Sequence, residues 1–219
     1  MKQKRESGIF LTVLGVGTGN LNDAMMEQLA NNGNGNYEYI DNVEQVKKVF
    51  IYDYNKFFTV AKDVKIQITF KQDIVDKYRL IGYENRVLEN EDFENDSADA
   101  GEIGAGQTIT AFYEIVPKPD VDLQTFASLE LRYKKSDENQ SRLISHNMEH
   151  QPANFENSSP NMKFGAAVAA YGMLLRNSEF SGTASYSDII SWAENSNIID
   201  NYGLKAEFVS LVKSVKSLK

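Results

Sequence analysis

The chain contains no cysteine, so disulfides, thiolate nucleophiles and cysteine-ligated metals are excluded together. Histidine is scarce as well: the only two are His146 and His150. Positive charge is in deficit, with 23 Lys and Arg against 31 Asp and Glu for a formal net charge of −8. A nucleic acid or an anionic membrane surface demands a basic face, so neither is expected as the main partner, although Lys213, Lys216 and Lys219 form a local basic group. Long hydrophobic runs are missing too. The apolar stretch after Lys2, Lys4 and Arg5 is too short for a signal peptide core or a membrane span, and the chain as given is expected to be soluble.

What is present is a globular composition: 219 residues at 42% hydrophobic content are enough for one large domain or two modest ones. Ile9 to Leu14 reads as a buried strand that runs into Gly15, Gly17 and Gly19. Leu21 to Asn31 then reads as a helix, with Leu21, Met25, Met26 and Leu29 on one face. Tyr37 to Ile40 makes a second strand, and Asp41 stands where a dinucleotide fold keeps its ribose-binding carboxylate. The fingerprint fails at its third glycine, since Asn20 or Asn22 occupies that place, and no further strand-helix-strand unit follows to build the crevice. Nucleotide binding at Gly15 to Gly19 is therefore the weaker reading, and a structural strand-to-helix turn the stronger. A parallel strand so near Met1, with no earlier strand beside it, suggests that Met1 falls inside a domain.

Asn42 with Gln45 predicts a helix start, and Val43, Val46, Phe50, Tyr54 and Phe57 space out one apolar face. From Thr59 the period changes to two. Val64, Ile66, Ile68 and Phe70 alternate with Lys65, Gln67 and Thr69, and Ala127, Leu129, Leu131 and Tyr133 alternate with Ser128, Glu130, Arg132 and Lys134, each predicting a strand with one wet face. Weaker alternation over Tyr78 to Tyr83 and Thr108 to Val116, with Arg142 to Ser145 as hairpin partner after a turn at Ser136 to Asn139, suits a small β-sandwich. Ser159-Pro160 and Ser185 with Asp188 predict two helix starts. Phe164, Val168, Tyr171 and Leu175 trace the first stripe, Trp192 reads as core, and Leu204, Phe208, Leu211, Val215 and Leu218 form the seam of a last helix. The expected class is α+β: a partial α/β segment at 1–57, an antiparallel β-sandwich at 58–151 and C-terminal helices at 152–219.

Two other constellations carry possible chemistry. His146, Glu149 and His150 match the H-x-x-E-H pattern of inverted zinc peptidases, in which two histidines one helical turn apart hold zinc and the glutamate activates water. Those residues follow a strand, Pro152 ends any helix, and the third ligand is undefined, so a zinc hydrolase is kept only as the alternative. Glu89, Glu91, Asp92, Glu94, Asp96, Asp99 and Glu102 form an acidic run without a basic residue. The calcium-loop pattern begun at Asp92 meets Ser97 where glycine must turn it and Ile103 where the bidentate glutamate belongs, so a solvated loop is expected.

The segment GIFLTVLGVGTGNLNDAMMEQLANNGNGNYEYIDN resembles the final strand-helix-strand of bacterial von Willebrand factor type A domain proteins of the YfbK type. The likeness continues through AKDVKIQITF, YRLIGYENR, DAGEIGAGQTITAFYEIVP, LRYKK, FGAAVAAYGMLLRNSEFSGTASY and YGLKAEFVSLV. The resemblance implies a cell-envelope protein, often a lipoprotein, with a type A domain and a C-terminal domain of unassigned function. It also implies that the glycine segment is a late turn away from any ligand. The metal-ion-dependent adhesion motif of type A domains, D-x-S-x-S, is absent from the sequence. No catalytic, cofactor or metal residue is assigned, and a non-enzymatic binding or scaffolding role is expected. Apolar faces left uncovered on residues 9–57 predict self-association through that segment or its docking on the C-terminal helices.

Overall fold

The computed structural model describes residues 9–17, 19–83, 87–149 and 154–218. The fold is mixed α+β, and the chain divides into two compact units that each draw on separated stretches of sequence. One comprises residues 1–69, 88–109 and 127–148; the other comprises 70–87, 110–126 and 149–219.

The first unit begins with strand β1 (Val13–Val16), helix α1 (Asp23–Asn32) and strand β2 (Tyr37–Ile40), the two strands pairing in parallel from Val13 opposite Tyr37 to Val16 opposite Ile40. Asn22 caps α1 by accepting from the Met25 N–H at 3.0 Å, which satisfies one of the free donors at the helix start. The expected buried strand is shorter and wetter than its composition suggests: Ile9 is 58% and Val16 70% exposed. Among the described residues the sheet has only two strands, with α1 against Gly15, and Leu14 and Val16 stay exposed. Asn42 also caps as expected, accepting from Gln45 N–H, but the α-helix α2 (Val43–Lys47) gives way to a π turn at Lys48–Tyr52 and a 3-10 turn at Tyr54–Phe57. That change of winding moves the apolar face: Val49 is fully buried, while Val43, Phe50 and Tyr54 are exposed.

Strands β3 (Thr59–Phe70), β4 (Val75–Ile81), β5 (Gly101–Gly104), β6 (Phe112–Pro117), β7 (Thr125–Lys135) and β8 (Arg142–Glu149) follow. They form a four-stranded sheet in the order β5-β3-β7-β8 and a two-stranded antiparallel sheet of β4 and β6. β5 pairs antiparallel with β3 through a register broken between Thr59 and Ala61 and again between Ala61 and Val64. Asp63, with φ at 51°, sits in the second irregularity. Gly104 has no room for a side chain, since a Cβ there would lie 1.9 Å from the Lys56 carbonyl oxygen.

The period of two is correct for β3 and β7, and Phe70 and Ala127 of the expected dry face are buried, but the expected wet face is partly covered as well. Lys65 is only 2% and Lys134 8% exposed, whereas Ile66 is 52% exposed. The acidic stretch covers that polar face: its 3-10 turn Asn90–Asp92 leads into Phe93, which is 7% exposed and lies under the Arg132 guanidinium, 5.5 Å from its ring centre.

The second unit holds the β4–β6 pair and helices α3 (Pro160–Leu175), α4 (Tyr186–Glu194) and α5 (Leu204–Ser217). Ser159 accepts from Met162 N–H, and Ser185 and Asp188 form a complete capping box, as their spacing predicts. The helices bury Ala167, Ala170, Tyr171, Ile189, Ala193, Val209 and Val212 in a common core, with Phe164 and Tyr171 edge-on to Phe208 at 5.5 Å. Trp192 packs against this core, edge-on to Phe155. On β4, Arg79 binds Glu114, stacks 4.4 Å over the Phe180 ring and donates to the Phe180 carbonyl at 3.0 Å, tying the loop after α3 to the sheet.

Candidate functional site

In the first unit the bulged start of β3, the loop before β5, the turn after β7 and the N-terminal segment enclose an open cleft of about 660 Å³. Asp63, Asp96, Asp99 and Glu102 bring negative charge to it, Lys62 and Lys134 positive charge, and Phe10, Phe57 and Phe58 aromatic surface. Phe58 is 62% exposed.

Two buried ammonium groups position the acidic wall. Lys65 Nζ donates to the backbone carbonyls of Asp92, at 2.9 Å, and Asn95. Lys134 Nζ donates to the Asp63 carboxylate at 2.8 Å and to the Asp96 carbonyl at 2.6 Å. Two carbonyls of the acidic stretch therefore converge on Lys65 and a third binds Lys134, so cations of the chain itself hold this backbone. Burial pushes the Lys65 pKa down, against the opposing pull of nearby carboxylates led by Asp63. Hydrogen bonds from Ser141 hold the Asp96 carboxyl below the ordinary aspartate value, so it acts as a fixed negative charge at neutral pH and not as a proton donor. Among the described residues no group of three His, Asp or Glu is placed to hold a metal ion.

The stretch weighed for zinc lies elsewhere and in another geometry. His146 and Glu149 belong to β8, where side chains alternate between faces, so the one-turn spacing of a helix is not available to them. His150 lies outside the described residues. At the glycine turn, Gly17 has φ at 100° and its carbonyl accepts from the Tyr39 hydroxyl at 2.9 Å. Gly15 is hemmed in by the Tyr37 hydroxyl, Leu21 and Met26. The Asp23 carboxylate accepts from the Tyr37 hydroxyl and raises its pKa to about 12. Asp41 is exposed just past β2, and among the described residues that sheet has two strands, without the reversal of strand order that forms a nucleotide crevice.

The family model described as "Uncharacterized protein YfbK, C-terminal" matches residues 55–218. The chain belongs to the YfbK family. It is 39% identical over 232 aligned residues to the uncharacterized protein YfbK of Escherichia coli (strain K12), an alignment that covers 97% of this chain and 40% of that relative. The chain thus spans well under half the length of the curated relative it matches. A solved structure, the ArnB paralog VWA2 from Sulfolobus acidocaldarius, aligns over 93% of this chain and 50% of its own at 14% identity and a TM-score of 0.46. In this YfbK family member the lysine latch was hidden from sequence reasoning. Two lysines at alternating strand positions read as solvent-facing, and only the presence of an acidic segment without internal cations hinted that they serve it.

Proposed function

We propose that this chain is a non-enzymatic binding or scaffolding part of a cell-envelope von Willebrand factor type A protein of the YfbK family, acting through the apolar surface of residues 9–57. The observation that carries the reading is the exposure of Leu14 and Val16 on a two-stranded parallel sheet. Parallel strands are stable when both faces are covered, and an uncovered apolar face of this kind marks a contact surface. Val43, Phe50 and Ile51 extend the exposed apolar surface of the same segment. Type A membership, lipoprotein character and envelope location rest on the resemblance of the segment from Gly8 to Asn42. No helix among the described residues is long and apolar enough to cross a membrane.

Self-association through residues 9–57 is the first form of binding to test. Light scattering across a concentration series is expected to show a dimer that Val16→Glu dissociates while circular dichroism stays unchanged. A monomer that also gives no adduct when a photoreactive residue replaces Val16 in the cell would refute a binding role for this surface. Fractionation of the tagged full-length protein tests location: recovery in the cytosolic fraction alone would overturn the envelope assignment.

A further inference from the structure

The cleft of the first unit is short of positive charge. Lys134 Nζ is committed to Asp63 and to the Asp96 carbonyl, so the carboxylates of Asp96, Asp99 and Glu102 face one further ammonium group in the described lining, that of Lys62. Glu102 accepts from Asn34 Nδ2 at 2.6 Å, but a neutral donor leaves the charge of the carboxylate in place. The aromatic part of the lining, Phe10, Phe57 and Phe58, includes a ring left 62% exposed at Phe58. A space of about 660 Å³ is of the size that takes a ligand or a few long side chains. A guanidinium or ammonium group suits both kinds of wall, since it pairs with carboxylate oxygens and lies over an aromatic face.

The chain carries such groups next to the cleft. Phe10 belongs to the lining, and the segment just ahead of Ile9 reads MKQKRESG, with Lys2, Lys4 and Arg5 against the single acid Glu6. That segment lies outside the described residues, so its place is inferred from the tether and from charge. Five extended residues span at most about 18 Å, which puts Arg5 and Lys4 within reach of the cleft that Phe10 lines. A tether this short also gives a local concentration in the millimolar range, which a free cationic ligand has to exceed. We propose that the cleft seats the chain's own basic segment Lys2–Arg5, with the Lys4 and Arg5 side chains pairing with Asp99 and Glu102 to form an internal ionic joint.

The acidic stretch is then held from two sides. Lys65 and Lys134 bind its backbone carbonyls from β3 and β7, and Lys4 and Arg5 bind its carboxylates. A run of acids without a cation of its own is thereby neutralised by residues distant in sequence. Asp99 is exposed, so the joint is screened by salt and opens more readily as ionic strength rises. It uses none of Leu14, Val16, Val43, Phe50 and Ile51, and so stands apart from the contact surface proposed above.

The test uses the whole chain and exploits its lack of cysteine. Gln3→Cys, which leaves every cation of the segment in place, is combined with Ser97→Cys in the cleft lining and, as control, with Ser145→Cys, exposed on β8. On mild oxidation the first pair is expected to form a disulfide within one chain at least about tenfold faster than the second, an advantage that shrinks as salt is added. Trypsin gives an arm without cysteine. Cleavage after Lys4 or Arg5, read by intact mass, is expected to be at least about fivefold faster in the double variant Asp99→Asn, Glu102→Gln than in wild type, because cleavage follows the released population. Circular dichroism checks that the variant keeps its fold. Equal oxidation rates for the two cysteine pairs would overturn the proposal, as would a disulfide formed only between two chains. A folded double variant that trypsin cuts no faster than wild type would overturn it as well.

Discussion

Replacing Lys65 by methionine keeps the length and apolar stem of the side chain and deletes only the ammonium that organises the loop. In the wild type Lys65 is 2% exposed and its ammonium donates to the carbonyls of Asp92 and Asn95. A hydrogen bond to a charged donor contributes about 1.5–3 kcal/mol, and a carbonyl left buried without a partner costs about 1–3 kcal/mol. Against this, deletion removes the desolvation penalty of a buried cation, which is several kcal/mol and is visible as the lowered Lys65 pKa. The balance predicts a net destabilisation of about 2–3 kcal/mol, smaller than the two hydrogen bonds would suggest because the penalty is returned. Urea unfolding gives the number, with Lys77→Met, exposed on β4, as a control expected within about 0.5 kcal/mol of wild type. The sign of the pH dependence follows from the same shift. A base whose folded pKa lies below its unfolded value near 10.5 leaves the unfolded chain with more protons between the two, so stability from this group rises as pH climbs through the folded pKa. The gap between wild type and Lys65→Met should therefore widen toward the ordinary lysine pKa. Equal stability of the two substitutions, or loop amides at 90–98 that exchange no faster in Lys65→Met, would refute the latch.

Two glycines of α3 should respond in opposite directions. Gly165→Ala places a Cβ 2.7 Å from the Phe112 ring and is expected to destabilise by about 1–3 kcal/mol, while Gly172 faces open space and Gly172→Ala is expected to stabilise by about 0.5–1 kcal/mol, both read by thermal unfolding. Ser185→Ala should cost about 1 kcal/mol by breaking the capping box of α4. Hydrogen bonds from Ser185 hold the Asp188 pKa below 3.8, so its contribution is complete above that value and is lost as pH falls through the folded pKa; an acid titration of Ser185→Ala that matches wild type would count against the box. Ile189→Ala, at a fully buried site of the helical core, should cost about 2–5 kcal/mol by calorimetry.

Local chemistry written in adjacent residues was legible without a structure. Asn42 with Gln45, Ser159 before Pro160 and Ser185 with Asp188 start their helices because a side-chain oxygen reaches a backbone donor three residues on, and no distant part of the chain is needed. The strand periods of β3 and β7 are likewise local patterns. The expected seam of the last helix is only partly right: Phe208 and Val215 pack against the core, but Leu204, Leu211 and Leu218 are exposed and Val209 and Val212 are buried in their place. In the same way Val168 and Leu175 of the α3 stripe are exposed and Ala167 and Ala170 buried. The family, too, was readable from the runs YRLIGYENR and AGEIGAG.

What the sequence by itself determined about this protein is its α+β class, its helix starts and the alternation of its strands. Tertiary structure alone decided that the polar face of β3 and β7 is covered too. Period two says that Lys65 and Ile66 lie on opposite sides of β3, but the side that ends up covered depends on where the acidic stretch, some 25 to 30 residues later in the chain, comes to rest. Once it lies across β3 and β7, its carbonyls make burial of Lys65 and Lys134 favourable and leave Ile66 in water. The division of the chain between the two units was equally out of reach, since it falls at one end of β3 and of β7, where no composition change marks it. Alternation is a property of the single strand, whereas burial belongs to the partner that covers it.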